Sequence, residues 1–215
     1  MDINYLNDLR DILETKWPGN RTVNIVCHGH SVPAGYFATP YVDSFSAYPH
    51  LLHRIIKERF PFAVLNVIVT GVGGENSVEG AMRFDTEVLN HNPDVITIDY
   101  GLNDRRAGLD AARRAWEEMI EKALKRSIKL ILLTPSWDQS YFKKDENWRK
   151  KGEHAASIRE LAAEYNVGLA DTYKVFEDYV KCDRDLATLL SHINHPSKTG
   201  HRLIAEEIAK YFLAK

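Results

Sequence analysis

Cysteine is scarce in this sequence. Cys27 and Cys182 are the two present in 215 residues, too few for a disulfide-stapled scaffold; a reduced, cytoplasmic setting is the expectation. No apolar run approaches the ~20 residues that cross a bilayer, so no membrane partner is expected. Neither sign of charge dominates. Lys and Arg number 28, Asp and Glu 30, for a net charge of −2, which gives no basic footprint for nucleic acid. The stretch from Met1 to Gly19 carries Asp2, Asp8, Asp11 and Glu14 where a secretory leader would have positive charge and then a clean apolar segment, so no leader is expected there. Repeats and low-complexity tracts are also missing. The balance that remains, 44% hydrophobic and 27% charged, is that of a globular chain, and the length suits a single domain over residues 1–215.

The positive signal is an alternation. Short, β-branched apolar runs at Thr22–Cys27, Ala63–Val69, Val95–Asp99, Lys129–Thr134 and Val167–Ala170 read as strands. The first four are apolar on both faces, as parallel strands covered by helices on each side must be. Helical periodicity marks Tyr5–Lys16, Phe45–Phe60, Ser77–Asn90, Leu109–Lys125, Asn147–Tyr165 and Thr199–Leu213. Strand and helix in alternation predict an α/β fold with a parallel sheet. Five strands make a flavodoxin-like three-layer α/β/α sandwich the first choice. Ligands in such sheets sit beyond the carboxyl ends of the strands, so chemistry should cluster there.

It does cluster there in the sequence. His28-Gly29-His30-Ser31 follows the first strand, Gly71-Val72-Gly73-Gly74-Glu75-Asn76-Ser77 the second, and Gly101-Leu102-Asn103-Asp104 the third; His192-Ile193-Asn194-His195-Pro196 precedes the last helix. Ser31, at a strand-to-helix junction between Gly29 and Pro33, suits an acyl-transfer nucleophile; taken alone it reads more simply as a helix N-cap, and the two readings are compatible. Gly74 can turn a backbone N–H toward a developing oxyanion and Asn103 can add an amide; the alternatives are a phosphate-cradling loop and a turn residue. The glycine loop lacks the Lys-Ser/Thr ending of a P-loop, which counts against a nucleoside triphosphate. His195 is the candidate base, set against an ordinary surface histidine in a chain with nine. Cys27 reads as a core residue. The polar stretch Ser136 to Asn147, bracketed by Trp137, Tyr141, Phe142 and Trp148, reads as a substrate wall or a surface loop.

In block order these residues resemble the SGNH hydrolases, the GDSL lipase/esterase family. That family carries a Gly-Asp-Ser nucleophile block, a glycine block, a Gly-x-Asn-Asp block and an Asp-x-x-His-Pro block. The resemblance runs over residues 22 to 213. It implies Ser31 as nucleophile and His195 as base. It also implies an oxyanion hole from the Ser31 and Gly74 N–H groups and the Asn103 amide, with no metal and no organic cofactor. The expected activity is that of a serine esterase on a small-molecule acyl ester, with O-acetylated carbohydrate the favoured substrate.

Two positions depart from the pattern: His30 and His192 stand where the family has Asp. A triad acid holds the imidazole tautomer and stabilises its charged form, so the second departure matters more. Three arrangements could replace it. A backbone carbonyl, such as that of residue 192, or the His192 ring itself could orient His195. Asp183 or Asp185 could supply a carboxylate. Or the fold could bind acylated ligands without turnover. Two further alternatives are a metal site built from His28, His30, His192 and His195, and a flavin or nucleotide carrier. Oligomeric state is not legible.

Overall fold

The computed structural model describes Asp2 and residues 4–214. Its centre is a sheet of five parallel strands, β1 (Thr22–Gly29), β2 (Val64–Val69), β3 (Val95–Asp99), β4 (Lys129–Leu133) and β5 (Gly168–Ala170), in the order β2-β1-β3-β4-β5. The chain leaves β1 for β2 on one side and later returns to add β3 on the other. The order therefore reverses between β1 and β3, and a crevice opens at their carboxyl ends. Register aligns Gly29 with Asp99 at that end. The close approach needs a glycine, because a Cβ on Gly29 would overlap the Asp99 carbonyl oxygen.

Side-chain alternation divides the strands between two cores. Val23, Ile25 and Cys27 of β1, with Ile131 and Leu133 of β4, face α1 (Asn7–Glu14), α3 (Tyr48–Arg59), α9 (Thr172–Lys181) and α10 (Lys198–Leu213). Val26, Ile96, Ile98, Leu130 and Leu132 face α4 (Ser77–Met82), α5 (Phe84–Glu87), α6 (Leu109–Lys125) and α8 (Glu146–Glu164). The period of two along each strand makes this division. Two four-residue helices complete the set, α2 (Ser31–Ala34) after β1 and α7 (Ser140–Lys143) after β4. No helix among the described residues is long and apolar enough to cross a membrane.

The predicted three-layer architecture and all five strands are present, and the differences are local. The helix expected over Phe45–Phe60 begins as a 3-10 turn, Ser44–Ser46, capped by Asp43, before extended Ala47 admits α3. The helix expected over Ser77–Asn90 breaks at Arg83 (φ −105°, ψ 3°) and continues as α5 and a 3-10 turn, Leu89–His91. Arg83 is drawn inward there to the Glu75 carboxylate, 2.7 Å from Nε, and tertiary pairing overrides helical continuation. Helix α9 went unpredicted although Asp171 caps it and Phe176 fills the core.

Candidate active site

The β1 carboxyl end turns straight into α2. His30 is the N-cap, its Nδ1 accepting the Val32 N–H at 3.2 Å, so the cap anticipated at Ser31 falls one residue earlier. Ser31 is thereby the first helical residue. It is buried, and its N–H has no acceptor among the described residues, as the first-turn amides of a helix do not. Its hydroxyl donates to His195 Nε2 at 2.9 Å, bridging 164 positions of sequence.

The far nitrogen of that imidazole decides the tautomer. His195 Nδ1–H donates to the Phe37 carbonyl at 2.7 Å, which leaves Nε2 as the acceptor facing Ser31. The orienting group is a main-chain carbonyl, as one arrangement required, but it comes from Phe37 and not from residue 192. His192 is exposed and does not hold the ring, which corrects its assignment as orienting residue. Asp185 instead caps the 3-10 turn Leu186–Leu189, and neither it nor Asp183 reaches His195. The Phe37 carbonyl is presented by a tight turn: Phe37 N–H donates to the Tyr41 carbonyl at 3.1 Å, and Tyr36 bridges Val42. Burial lowers the His195 pKa from its ordinary 6.5; the Phe37 hydrogen bond opposes this and the nearby His30 and His192 rings reinforce it.

A second imidazole faces the same hydroxyl. His30 Nδ1 lies 3.4 Å from Ser31 Oγ, and its Nε2 faces the buried Asp99 carboxylate at 3.5 Å. The carboxylate of this site therefore stands behind the capping histidine.

The glycine loop after β2 supplies amides. Gly74 adopts φ +83°, a left-handed conformation suited to glycine, and its N–H has no acceptor among the described residues. Asn103 donates one amide hydrogen to the Glu75 carbonyl at 2.8 Å, which fixes its side chain against the same loop and leaves the second hydrogen free. Two buried networks hold the loop. Glu75 accepts from Arg83 and, at 2.6 Å, from the Tyr100 hydroxyl; Tyr100 meets His28 Nε2 at 3.1 Å. Asp104 accepts the Ser77 N–H and the Trp116 Nε1–H, each at 2.7 Å. Burial pushes the Asp104 carboxyl up to about 6 against those hydrogen bonds.

The histidines do not form a metal site. Both ring nitrogens of His28 are engaged, with Thr70 Oγ1 at 2.9 Å and the Gly80 carbonyl at 3.2 Å. Burial and the Arg83 charge bring its pKa down to about 3. Among the described residues no three His, Cys, Asp or Glu side chains gather as metal ligands. Cys27 is buried, its thiol pushed up to about 12, an inert core residue as expected.

Sequence reasoning missed the Phe37 carbonyl, the Glu75–Arg83–Tyr100 network and Arg106, which hydrogen-bonds the Gly74 carbonyl. It also missed Lys151, fully buried on α8 and paired with Asp138. Lys151 alone left a trace, a lysine on the face that also carries His154, Ala155, Ile158 and Leu161. Trp137 is buried and stacks on Tyr141, with Trp148 edge-on. The Ser136–Asn147 stretch contributes Asp138, Gln139, Ser140 and Lys143 to the wall of the groove beside Asn103.

A hydroxyl donating to a neutral imidazole, beside unpaired amide N–H groups at the carboxyl edge of a parallel sheet, can perform acyl transfer. Residues 27–203 match the GDSL-like Lipase/Acylhydrolase family, and the chain belongs to it; it is a carboxylic ester hydrolase. An acetylxylan esterase from Geobacillus stearothermophilus is 21% identical over 163 residues, covering 70% of this chain and 74% of that protein. The structure of a lipase/acylhydrolase from Enterococcus faecalis superposes with a TM-score of 0.72 at 28% identity, over 87% of this chain and 95% of that one. A structure of an acetylxylan esterase from Geobacillus stearothermophilus gives a TM-score of 0.77 at 19% identity, over 90% and 95% of the two chains.

Proposed function

We propose that the protein removes a small acyl group, favouring acetyl, from a carbohydrate ester through a Ser31–His195 dyad. The observation that carries this reading is the 2.9 Å contact from Ser31 Oγ to an imidazole whose tautomer the Phe37 carbonyl fixes. In the first half-reaction Ser31 Oγ bonds to the ester carbonyl carbon and its proton passes to His195 Nε2. The tetrahedral oxyanion is met by the N–H groups of Ser31 and Gly74 and the free amide hydrogen of Asn103. Collapse expels the alcohol, which takes the proton from His195, and leaves Ser31 acylated. In the second half-reaction water gives a proton to Nε2 as its oxygen attacks the acyl carbon; collapse releases the carboxylic acid and restores the serine.

The Phe37 carbonyl holds the imidazole but brings no full negative charge to the imidazolium. Catalysis without a triad acid persists on the strength of the oxyanion donors and binding. The acetyl-carbohydrate preference draws its support from the relatives named as acetylxylan esterases. The test is release of nitrophenol from 4-nitrophenyl acetate and of acetate from acetylated xylo-oligosaccharides. Ser31→Ala is expected to lower kcat by about ten-thousand-fold or more in both assays. Turnover that survives this substitution would refute the mechanism, and turnover of the aryl ester alone would refute the carbohydrate preference.

A further inference from the structure

The groove beside Asn103 has a volume of about 540 Å3 and is walled by the turn after β3, by α7 and by the segment around His192. Its charged lining is Arg105, Arg106, Asp138, Lys143 and Asp145. Both carboxylates are already engaged. Asp138 is buried, pairs with the Lys151 ammonium and with Arg105 at 2.9 Å, and accepts the Ser140 N–H at 2.9 Å. Asp145 caps α8, accepting the Trp148 N–H at 3.2 Å where the helix dipole favours an anion.

Two of the cations are not engaged by any anion. Among the described residues no carboxylate comes within ion-pairing distance of Arg106 or Lys143. Arg106 is exposed and hydrogen-bonds a neutral acceptor, the Gly74 carbonyl, which ties its guanidinium to the loop that carries the proposed oxyanion donor. Lys143 is exposed at the end of α7, and its side chain has no partner among the described residues. Lys151 stands behind the wall and compensates Asp138, so the buried carboxylate does not cancel this charge. On a chain of net charge −2, the groove beside Asn103 thus presents an excess of positive charge, with Arg105, Arg106 and Lys143 set against Asp138 and Asp145.

We propose that this groove recognises an anionic group on the sugar part of the substrate, so that the preferred ester is an acylated sugar bearing a carboxylate or phosphate near the acylated hydroxyl. Arg106 supplies a guanidinium held by its hydrogen bond to the Gly74 carbonyl, and Lys143 supplies an ammonium in the same lining. Charge-assisted hydrogen bonds of this kind are the stronger class, and a concave site concentrates the field that draws the anion in. The inference rests on the ester-hydrolase reading for the site's use and on the groove alone for its charge preference.

The test compares three matched compounds: the methyl glycosides of mono-O-acetylated glucose, glucuronic acid and glucose 6-phosphate. At low ionic strength kcat/KM is expected to be about tenfold higher for at least one anionic ester than for the neutral one, with the advantage shrinking in 0.5 M salt (roughly, a Debye length of a few ångströms). Preference for the uronate alone identifies a carboxylate site, and preference for the phosphate alone a phosphate site. Equal rates for all three would overturn the proposal. Lys143→Glu is expected to reduce the anionic-to-neutral ratio about fivefold or more, and a ratio that does not move would also overturn it. Calorimetric affinities of the Ser31→Ala protein for the same compounds separate the two readings. Preferential binding of an anionic ester that the wild type fails to hydrolyse defeats the catalytic reading and leaves the groove's preference standing. Turnover without any preference does the reverse.

Discussion

Two imidazoles flank the Ser31 hydroxyl, and they are held in opposite ways. His195 gives its Nδ1 proton to a main-chain carbonyl and turns Nε2 to the serine at 2.9 Å. His30 has a carboxylate behind it, Asp99 at 3.5 Å, but its Nδ1 lone pair is engaged by the Val32 N–H and lies farther from the hydroxyl, at 3.4 Å. A proton arriving at His30 Nδ1 would set two N–H groups against each other and undo the cap of α2. The ring with the better charge support is thus the worse acceptor. The proximity of a carboxylate matters less to the role of a histidine here than which lone pair is free and what already occupies it.

The largest effect that could break this comparison is at His195. His195→Ala is expected to lower kcat on 4-nitrophenyl acetate by about ten-thousand-fold, because His30 cannot take over. A variant that kept a tenth of wild-type turnover would mean that His30 and Asp99 act as a base after all.

Smaller effects are expected at His30. His30→Ala removes the cap, at a cost of about 1 kcal/mol in stability, and is expected to lower kcat about tenfold with little change in KM, since Ser31 and its N–H lose their fixed place. His30→Asn keeps an acceptor for the Val32 N–H and should recover most of both losses. Equal loss of kcat in the two variants would show that the imidazole itself takes part in proton transfer.

The smallest effect sharpens the comparison through pH. In the proposed mechanism His195 must be neutral to accept the serine proton, and burial lowers its pKa. The acid limb of kcat/KM is therefore expected at a pH below the ordinary 6.5 of histidine, with activity retained as pH falls through that value. His192→Asp replaces a neighbouring ring that disfavours the imidazolium with a carboxylate that favours it. The limb should move up, by less than about one unit across solvent. A downward shift would contradict the electrostatic account of His195.

Much of this site was legible before the fold was known. The strand-ending runs at Cys27, Val69 and Asp99 named the loops that carry Ser31, Gly74 and Asn103, and a parallel sheet brings such ends to one edge. The family resemblance added the pairing of Ser31 with His195. Harder to read were the residues whose roles depend on a partner distant in sequence. Arg83 broke a helix that periodicity favoured because Glu75 and the Thr70 carbonyl claimed its guanidinium. Asp99 looked like the end of a strand, and its approach to His30 follows from the register that sets it beside Gly29.

Local sequence determined the layers, the strand order's candidates and the serine's place at a strand-to-helix turn, because apolar period and turn chemistry act over a few residues. Tertiary structure alone decided what steadies His195. Every residue carries a carbonyl, so the one at Phe37 has no signature in the sequence. It became the partner of a ring 158 positions away only when the turn after α2 and the loop before α10 packed together. The charge of the groove was decided in the same way, since whether an arginine or lysine stays available to a ligand depends on which carboxylates the fold brings within reach of it.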